Sequence, residues 1–176
     1  MRSAMIGMAL AMLAGAVGAA MPRDLPPGVR ATLPEARLQG PGVLRFLGIA
    51  IYDAYYWGSQ KAYSPASPFA LELHYHRPLE GGRIAQRSIE EITALGHGSP
   101  EDRERWGREM ARLFPDVRPG DRLIGVNVPR QGARFFHNGK PIGSIDDVAF
   151  TRAFFGIWFD RGTSRPDLRR QLLGEP

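Results

Sequence analysis

Residues 43–57 constrain the fold of this chain more than any other feature, because they form a long apolar run rich in Ile, Tyr, Phe and Leu. Such a composition favours a β-strand. Gly48, Ala50 and Ala54 lie on one face of the predicted strand, and bulky branched residues lie on the other. Since both faces are apolar, we expect a central strand that is covered on both sides. The small residues would let a helix or a ligand approach closely.

Regular elements of both kinds are predicted after this strand. Alternating apolar and polar side chains, with an Asn-Gly turn, predict strands at residues 69–76, 122–128, 133–136 and 140–145. Helical spacing and N-cap residues predict helices at residues 82–95, 100–114, 147–155 and 166–173. This order of elements indicates an α+β fold, in which helices are laid on one face of an antiparallel sheet.

The first twenty residues have the pattern of a secretory signal. Arg2 supplies the positive charge, residues 5–17 form an apolar run, and small residues follow up to Ala20. The run is shorter than the roughly 20 residues that cross a bilayer, although a membrane anchor is the alternative interpretation. We therefore predict cleavage near Ala20 and a periplasmic or secreted protein with no transmembrane segment after cleavage.

The exported part of the chain is predicted to form one domain. Residues 21–42 contain five prolines and several glycines, so we expect an irregular N-terminal lead-in there. The folded domain is expected over residues 43–176, a length at which a single hydrophobic core is usual. The sequence contains no repeat and no linker that would divide this domain.

Composition excludes several classes of function. The sequence has no cysteine, which excludes a disulfide framework, a thiolate zinc site and a cysteine nucleophile. The formal net charge is +5, but basic residues are scattered among acidic ones and form no stripe with stacking aromatics. Glycine-rich phosphate loops and a Gly-x-Ser-x-Gly elbow are also absent. We therefore expect neither nucleic acid nor a cofactor.

Three segments together resemble the bacterial chalcone isomerase-like family. They are residues 48–54, residues 114–121 before the hairpin strands, and residues 154–169 at the C-terminal helices. The resemblance implies an open-faced β-sandwich, in which a large antiparallel sheet carries helices on one face and a ligand cleft lies between them. In that family, plant members cyclise chalcones to flavanones, whereas other members bind fatty acids or act without catalysis.

The catalytic residues that the resemblance would imply are missing. Leu47 stands where the plant enzymes have a threonine, and Arg87 stands where they have an asparagine. No tyrosine occurs near Glu80, where they have one; Arg37 or Arg45 would have to supply their arginine from a different spacing. Without these donors, the charge stabilisation that cyclisation needs is lost. We therefore predict no catalytic residues and lean against an enzyme.

Four residues are predicted to bind a ligand in the cleft: Arg45, Tyr52, Tyr56 and Arg87. Tyr52 and Tyr56 share the small-residue face of the predicted strand; alternatively, they are ordinary core aromatics. Arg45 interrupts an apolar strand and Arg87 lies on a predicted helix, so each could meet a carboxylate or a phenolate. Alternatively, Arg45 lies at the rim of the sheet and Arg87 pairs with Glu91.

Two histidines raise the question of a metal site. His74 and His76 lie two apart on one predicted strand face, with Glu72 as the obvious third ligand. The alternative is a pair of solvent-side histidines on an amphipathic strand. Because a metal site needs three or four ligands and the sequence offers no others nearby, we predict none.

Three functions remain open at this point. The first, which we favour, is a non-catalytic binder of a small amphipathic acid, such as a fatty acid or a lipid fragment. An arginine and a tyrosine would hold its polar end. The second is an isomerase, an intramolecular lyase acting on a conjugated carbonyl of the chalcone type. The third is a ligand-free accessory protein that assists an envelope enzyme as its protein partner.

Overall fold

A computed structural model describes residues 24–60 and 62–176, so the predicted signal at residues 1–20 lies outside the described residues. Within them, the helices are Pro27–Thr32 (α1), Gly81–Ala94 (α2), Pro100–Leu113 (α3), Val148–Phe159 (α4) and Pro166–Leu173 (α5). The strands are Arg37–Phe46 (β1), Ile49–Gly58 (β2), Phe69–Tyr75 (β3), Arg122–Val128 (β4), Gly132–His137 (β5) and Lys140–Ile145 (β6).

The described strands form one six-stranded antiparallel sheet in the order β1-β2-β3-β4-β5-β6, so each strand pairs with its neighbours in sequence. The predicted α+β class, with helices on an antiparallel sheet, is confirmed. Strands β3 to β6 and helices α2, α3 and α5 agree with the prediction to within one residue. Helix α4 continues to Phe159, beyond the predicted end near residue 155, because Gly156 does not break it.

The single long strand predicted at residues 43–57 is wrong. The chain turns back at Leu47 and Gly48, whose φ values are 49° and 80°, and Phe46 pairs with Ile49 across the resulting hairpin. A two-residue turn with positive φ at both positions normally carries Asn, Asp or Gly, so Leu47 gave no sign of it. Gly48 therefore belongs to a turn, where it contributes nothing to a small-residue strand face.

The irregular lead-in predicted at residues 21–42 is also wrong, because helix α1 and the first half of β1 lie there. The glycines serve close packing against α5. A Cβ at Gly40 would come within 2.3 Å of the carbonyl oxygen of Leu172, and one at Gly42 within 2.6 Å of Leu168 Cδ1. Pro41 is tolerated because β1 is an edge strand.

Two cores cover the two faces of the sheet. Alternate residues of a strand point to opposite faces, so Tyr52 and Tyr56 join the core under helices α2 to α5, whereas Tyr55 and Trp57 join the other. That second core is completed by Val29 of α1 and by its flanking residues. The four larger helices therefore share one face, as predicted, and α1 gives the opposite face a cover that the sequence did not reveal.

Candidate ligand-binding cavity

A cavity of about 520 Å³ lies between the sheet and helices α2, α4 and α5. Strands β1 to β5 form one wall, and the three helices form the other. The volume falls within the roughly 300–1,000 Å³ that is usual for small-molecule sites. Most of the lining is apolar and includes Leu71, Leu73, Ile84, Leu123, Phe154 and Leu168. A cavity of this kind suits a ligand with a substantial hydrocarbon part.

The cavity meets solvent beside the β1–β2 hairpin and the outer face of α2. Phe46, Arg83 and Arg87 line the cavity and are also exposed. The exposed fraction is 56% for Phe46 and 61% for the Arg87 side chain. Two cations and an aromatic ring therefore surround the point at which a ligand would enter.

Tyr52 brings a buried hydroxyl to the cavity wall. Its Oη accepts a hydrogen bond of 2.9 Å from Trp158 Nε1 on α4, which leaves the Tyr52 O–H proton free to donate to a ligand. Burial raises the pKa of Tyr52 to about 12, and the nearby charge of Arg165 partly offsets this effect. The phenol is therefore protonated at neutral pH and acts as a hydrogen-bond donor.

Charged side chains cluster along α2 and at the start of α5. Arg87 donates to Glu90 at 3.1 Å and also to Glu91, whose side chain is only 10% exposed. In the part of the chain that the structure describes, Arg83 and Arg165 have no carboxylate partner. The lining thus holds three arginines and two glutamates, so it carries one net positive charge. That balance suits a ligand with a single negative charge.

The structure brings two of the four residues predicted to bind a ligand to this cavity, Tyr52 and Arg87. The pairing of Arg87 with Glu91, which the sequence offered as an alternative, is confirmed. Arg45 is exposed on the hairpin, and its Nη1 donates to the carbonyl oxygen of Gly48 at 3.2 Å. Tyr56 packs in the core with its ring 5.1 Å from that of Phe159. Neither Arg45 nor Tyr56 is part of the cavity lining.

Sequence reasoning missed Arg83 and Arg165. Arg165 lies in a stretch interpreted only as a helix cap, and a cap pattern does not tell which way the adjacent side chain points. Arg83 stands four residues before Arg87, hence on the same face of α2. That spacing could have identified Arg83 once Arg87 had been chosen.

The two histidines of the predicted strand do not converge. His74 bonds Glu72 at 2.8 Å, whereas His76 pairs with Asp53 at 3.0 Å. Glu72 is fully buried and also accepts a bond of 3.0 Å from Trp57 Nε1, so its carboxylate already has partners. Across residues 24–60 and 62–176, no group of three or more His, Asp or Glu residues could hold a metal ion.

The helices of the described segments were also compared with the length of a membrane span. None of them is both long enough and apolar enough to cross a bilayer.

Family comparison agrees with this architecture. A family model described as chalcone isomerase-like matches residues 35–174, which is most of the chain. The chain therefore belongs to the chalcone isomerase-like family. The match begins just before β1 and ends just after α5, so it covers the sheet and the four helices over it.

Two individual proteins show the extent of the similarity. A protein of Haemophilus influenzae, described only as uncharacterized, is 34% identical over 108 residues, which are 61% of this chain and 52% of that protein. This chain thus spans about half the length of that relative. The crystal structure of a fatty-acid binding protein of Arabidopsis thaliana matches with a TM-score of 0.63 and 14% identity, over 79% of this chain and 87% of that one. At this identity the match shows a shared fold.

Proposed function

We propose that this protein binds one small amphipathic acid, such as a fatty acid or a lipid fragment, and does not transform it. The observation that carries the proposal is the cavity itself, which combines mostly apolar walls with a net charge of one arginine. The hydrocarbon part would lie against the leucines and phenylalanines, and the carboxylate would neutralise the excess charge.

Tyr52 and Arg165 are the residues we assign to the carboxylate. The Tyr52 hydroxyl is held by Trp158 and keeps its own proton for donation. Arg165 lies close enough to influence the pKa of that phenol. Arg87 is less suited to this role, because Glu90 and Glu91 already occupy its guanidinium. Its part would be to screen Glu91 from the bound acid.

The comparisons support a binding role without extending it to a particular ligand. The Arabidopsis protein that shares the fold is titled a fatty-acid binding protein, so this architecture can hold such a ligand. Two features of the cavity argue against catalysis. Leu47, which replaces the threonine of the plant enzymes, is 86% exposed and is not part of the lining. Burial raises the pKa of Tyr52 and of Tyr75, so neither phenol is a base at neutral pH.

Isothermal titration calorimetry with palmitate, and with hexadecanol as a ligand that lacks the carboxylate, tests the proposal. We expect Arg165→Ala to weaken palmitate binding about tenfold, since a charged hydrogen bond contributes about 1.5 kcal/mol. Hexadecanol binding should change little. Arg161→Ala is the matched control, because Arg161 is exposed and lies outside the lining. Equal palmitate affinity in the two variants would contradict the assignment of Arg165.

Native mass spectrometry of protein purified from its own host tests occupancy, and a chalcone panel tests turnover. We expect a bound acid and rates equal to those without protein. An empty cavity, together with no palmitate binding, would contradict a binder and leave an accessory role. Turnover above the uncatalysed rate would contradict the statement that the ligand is not transformed.

Export is a further part of this proposal. The composition of residues 1–20 supports removal of a signal near Ala20 and function of residues 21–176 in the periplasm or outside the cell. Mass measurement of the N-terminal peptide from a periplasmic extract tests this directly. We expect a chain that begins near Met21, whereas a chain that retains residues 1–20 would contradict it.

A further inference from the structure

The turn between β1 and β2 exposes an unusual amount of apolar surface. We call residues 46–49 the hairpin tip. Phe46, Leu47 and Ile49 are 56%, 86% and 49% exposed. In the part of the chain that is described, Val148 is the one further large apolar side chain with comparable exposure, at 54%. Three of four such side chains are therefore concentrated in one turn, which is typical of a surface that contacts another apolar phase.

The backbone of the hairpin tip makes the choice of Leu47 more informative. Leu47 has a φ of 49°, a conformation that costs a non-glycine residue about 1–2 kcal/mol. The other tight hairpin has nearly the same geometry, with φ of 50° at Asn138 and 81° at Gly139, and carries residues that favour it. Since Asn would suit the first turn equally well, the needs of the turn do not explain an exposed leucine there.

Arginines surround the hairpin tip. Arg45 folds over the turn to the carbonyl of Gly48. Arg77 is exposed beside the end of β2, because it follows His76, whose amide bonds the carbonyl of Ile51 at 2.9 Å. Arg83 lies with Phe46 at the cavity mouth.

No carboxylate within residues 24–60 or 62–176 forms an ion pair with any of these three arginines. Apolar side chains ringed by free cations fit the interface of an anionic bilayer, where each cation contributes attraction to the lipid headgroups.

The hairpin tip is continuous with the cavity. Phe46 belongs to both, and its strand neighbours Leu44 and Ile51 also line the cavity. A tip seated among lipid headgroups would therefore hold the cavity mouth at the same depth. An amphipathic acid could then move between the bilayer and the cavity without crossing water.

We propose that the hairpin tip inserts into the interface of an anionic lipid bilayer and that the protein exchanges its ligand with the bilayer there. The exchange rests on the proposed binding of an amphipathic acid, whereas the docking does not. A bilayer fits better than a second copy of the chain, because a four-residue turn is far too small to bury the roughly 1,200 Å² of a stable protein interface.

Flotation with vesicles tests the docking. The purified protein is mixed with vesicles of phosphatidylcholine alone or with phosphatidylglycerol added. We expect binding to the anionic vesicles, and about a tenfold loss in the variant Leu47→Asn/Ile49→Thr, because two exposed apolar side chains are removed. Val148→Ser is the matched control, since it removes a similarly exposed side chain elsewhere. Equal binding of the tip variant and the control would overturn the proposal.

Misfolding and self-association are separated by two further measurements. Leu47→Asn should raise the thermal unfolding midpoint, because Asn adopts positive φ more readily, so lost vesicle binding cannot then be attributed to unfolding. A lowered midpoint together with lost binding would overturn the interpretation of the turn. The wild-type protein should elute as a monomer without lipid. A dimer that the tip variant dissociates would show that the tip is a protein contact and overturn lipid docking.

Failure of docking is distinguishable from failure of the proposed function. Leu47 and Ile49 are outside the lining, so the tip variant should bind palmitate in solution as the wild type does while accepting it more slowly from vesicles. Arg165→Ala should show the reverse, with weaker palmitate binding and normal flotation. Equal transfer rates from vesicles for the tip variant and Val148→Ser would overturn the exchange.

Discussion

The two tight hairpins of the sheet share one backbone geometry and differ in the residues that occupy it. Leu47-Gly48 has φ values of 49° and 80°, and Asn138-Gly139 has values of 50° and 81°. Asn138 is bound on both sides: its Oδ1 accepts from the amide of Arg122 at 2.8 Å, and its Nδ2 donates to Asp121 Oδ1 at 2.9 Å. Leu47 cannot make such bonds and is 86% exposed.

The comparison shows that equal local geometry does not imply equal purpose. The Asn138 hairpin fits the rule that turn residues support the fold. The Leu47 hairpin keeps a residue that weakens the turn, at the mouth of the cavity. Strain retained beside a candidate site is consistent with a functional demand on that residue. Exchanging residues between the two hairpins tests this difference directly.

The largest expected effect comes from Asn138→Leu, which gives the second hairpin the leucine of the first. We expect the free energy of unfolding to fall by about 2–3 kcal/mol, because the strain of positive φ adds to the loss of two hydrogen bonds. Equilibrium unfolding in urea measures it. Asn138→Gly is the control, since it loses the bonds without the strain and should be less destabilised.

A smaller change of opposite sign is expected from Leu47→Asn. Stability should rise by about 1 kcal/mol, because Asn relieves the strain at positive φ and no buried contact is lost. The same urea experiment measures it. A decrease in stability would mean that the exposed leucine already makes a stabilising contact, and the contrast between the hairpins would fail.

The pH dependence of Asn138→Leu sharpens the contrast further. The Asn138 amide, together with the Arg118 backbone N–H, lowers the pKa of Asp121. A carboxyl with a lowered folded pKa stabilises the fold above its unfolded pKa of about 4, and this contribution is lost as pH falls through the folded value. The penalty of the substitution should therefore shrink below about pH 4. The Leu47→Asn effect should stay constant, because leucine contributes no such group.

The smallest effect is expected from Arg45→Ala, which removes the bond to the Gly48 carbonyl. Because the guanidinium is exposed, stability should fall by about 0.5 kcal/mol or less. Arg45→Lys keeps a charge and a donor and serves as the control. A loss as large as that of Asn138→Leu would show that Arg45 holds the first hairpin as Asn138 holds the second.

Much of the fold could be predicted because its elements carry local rules. The alternation at residues 69–75 and the Asn-Gly turn identify strands β3 to β6, and Ser99 forms the expected capping box with Asp102. The β1–β2 hairpin could not be found this way, because its apolar composition continues through the turn. The glycines of β1 reflect contact with α5, which lies more than a hundred residues away in sequence.

The candidate site was less accessible to prediction. Tyr52 followed from its place on a strand face, and Arg87 from its place on α2. Arg165 depends on how the start of α5 is set against β2, a tertiary relation that leaves no local pattern. Tyr56 shares a strand face with Tyr52 but lies deeper in the core, against Phe159. Face can be inferred from sequence period, whereas depth along a strand cannot.

The binding claim is tested most directly by a crystal structure of the protein with palmitate. We predict hydrocarbon density along the apolar walls, with the carboxylate at about 2.6–3.2 Å from Tyr52 Oη and from the Arg165 guanidinium. A ligand bound outside this cavity, or a carboxylate that contacts neither residue, would contradict the account.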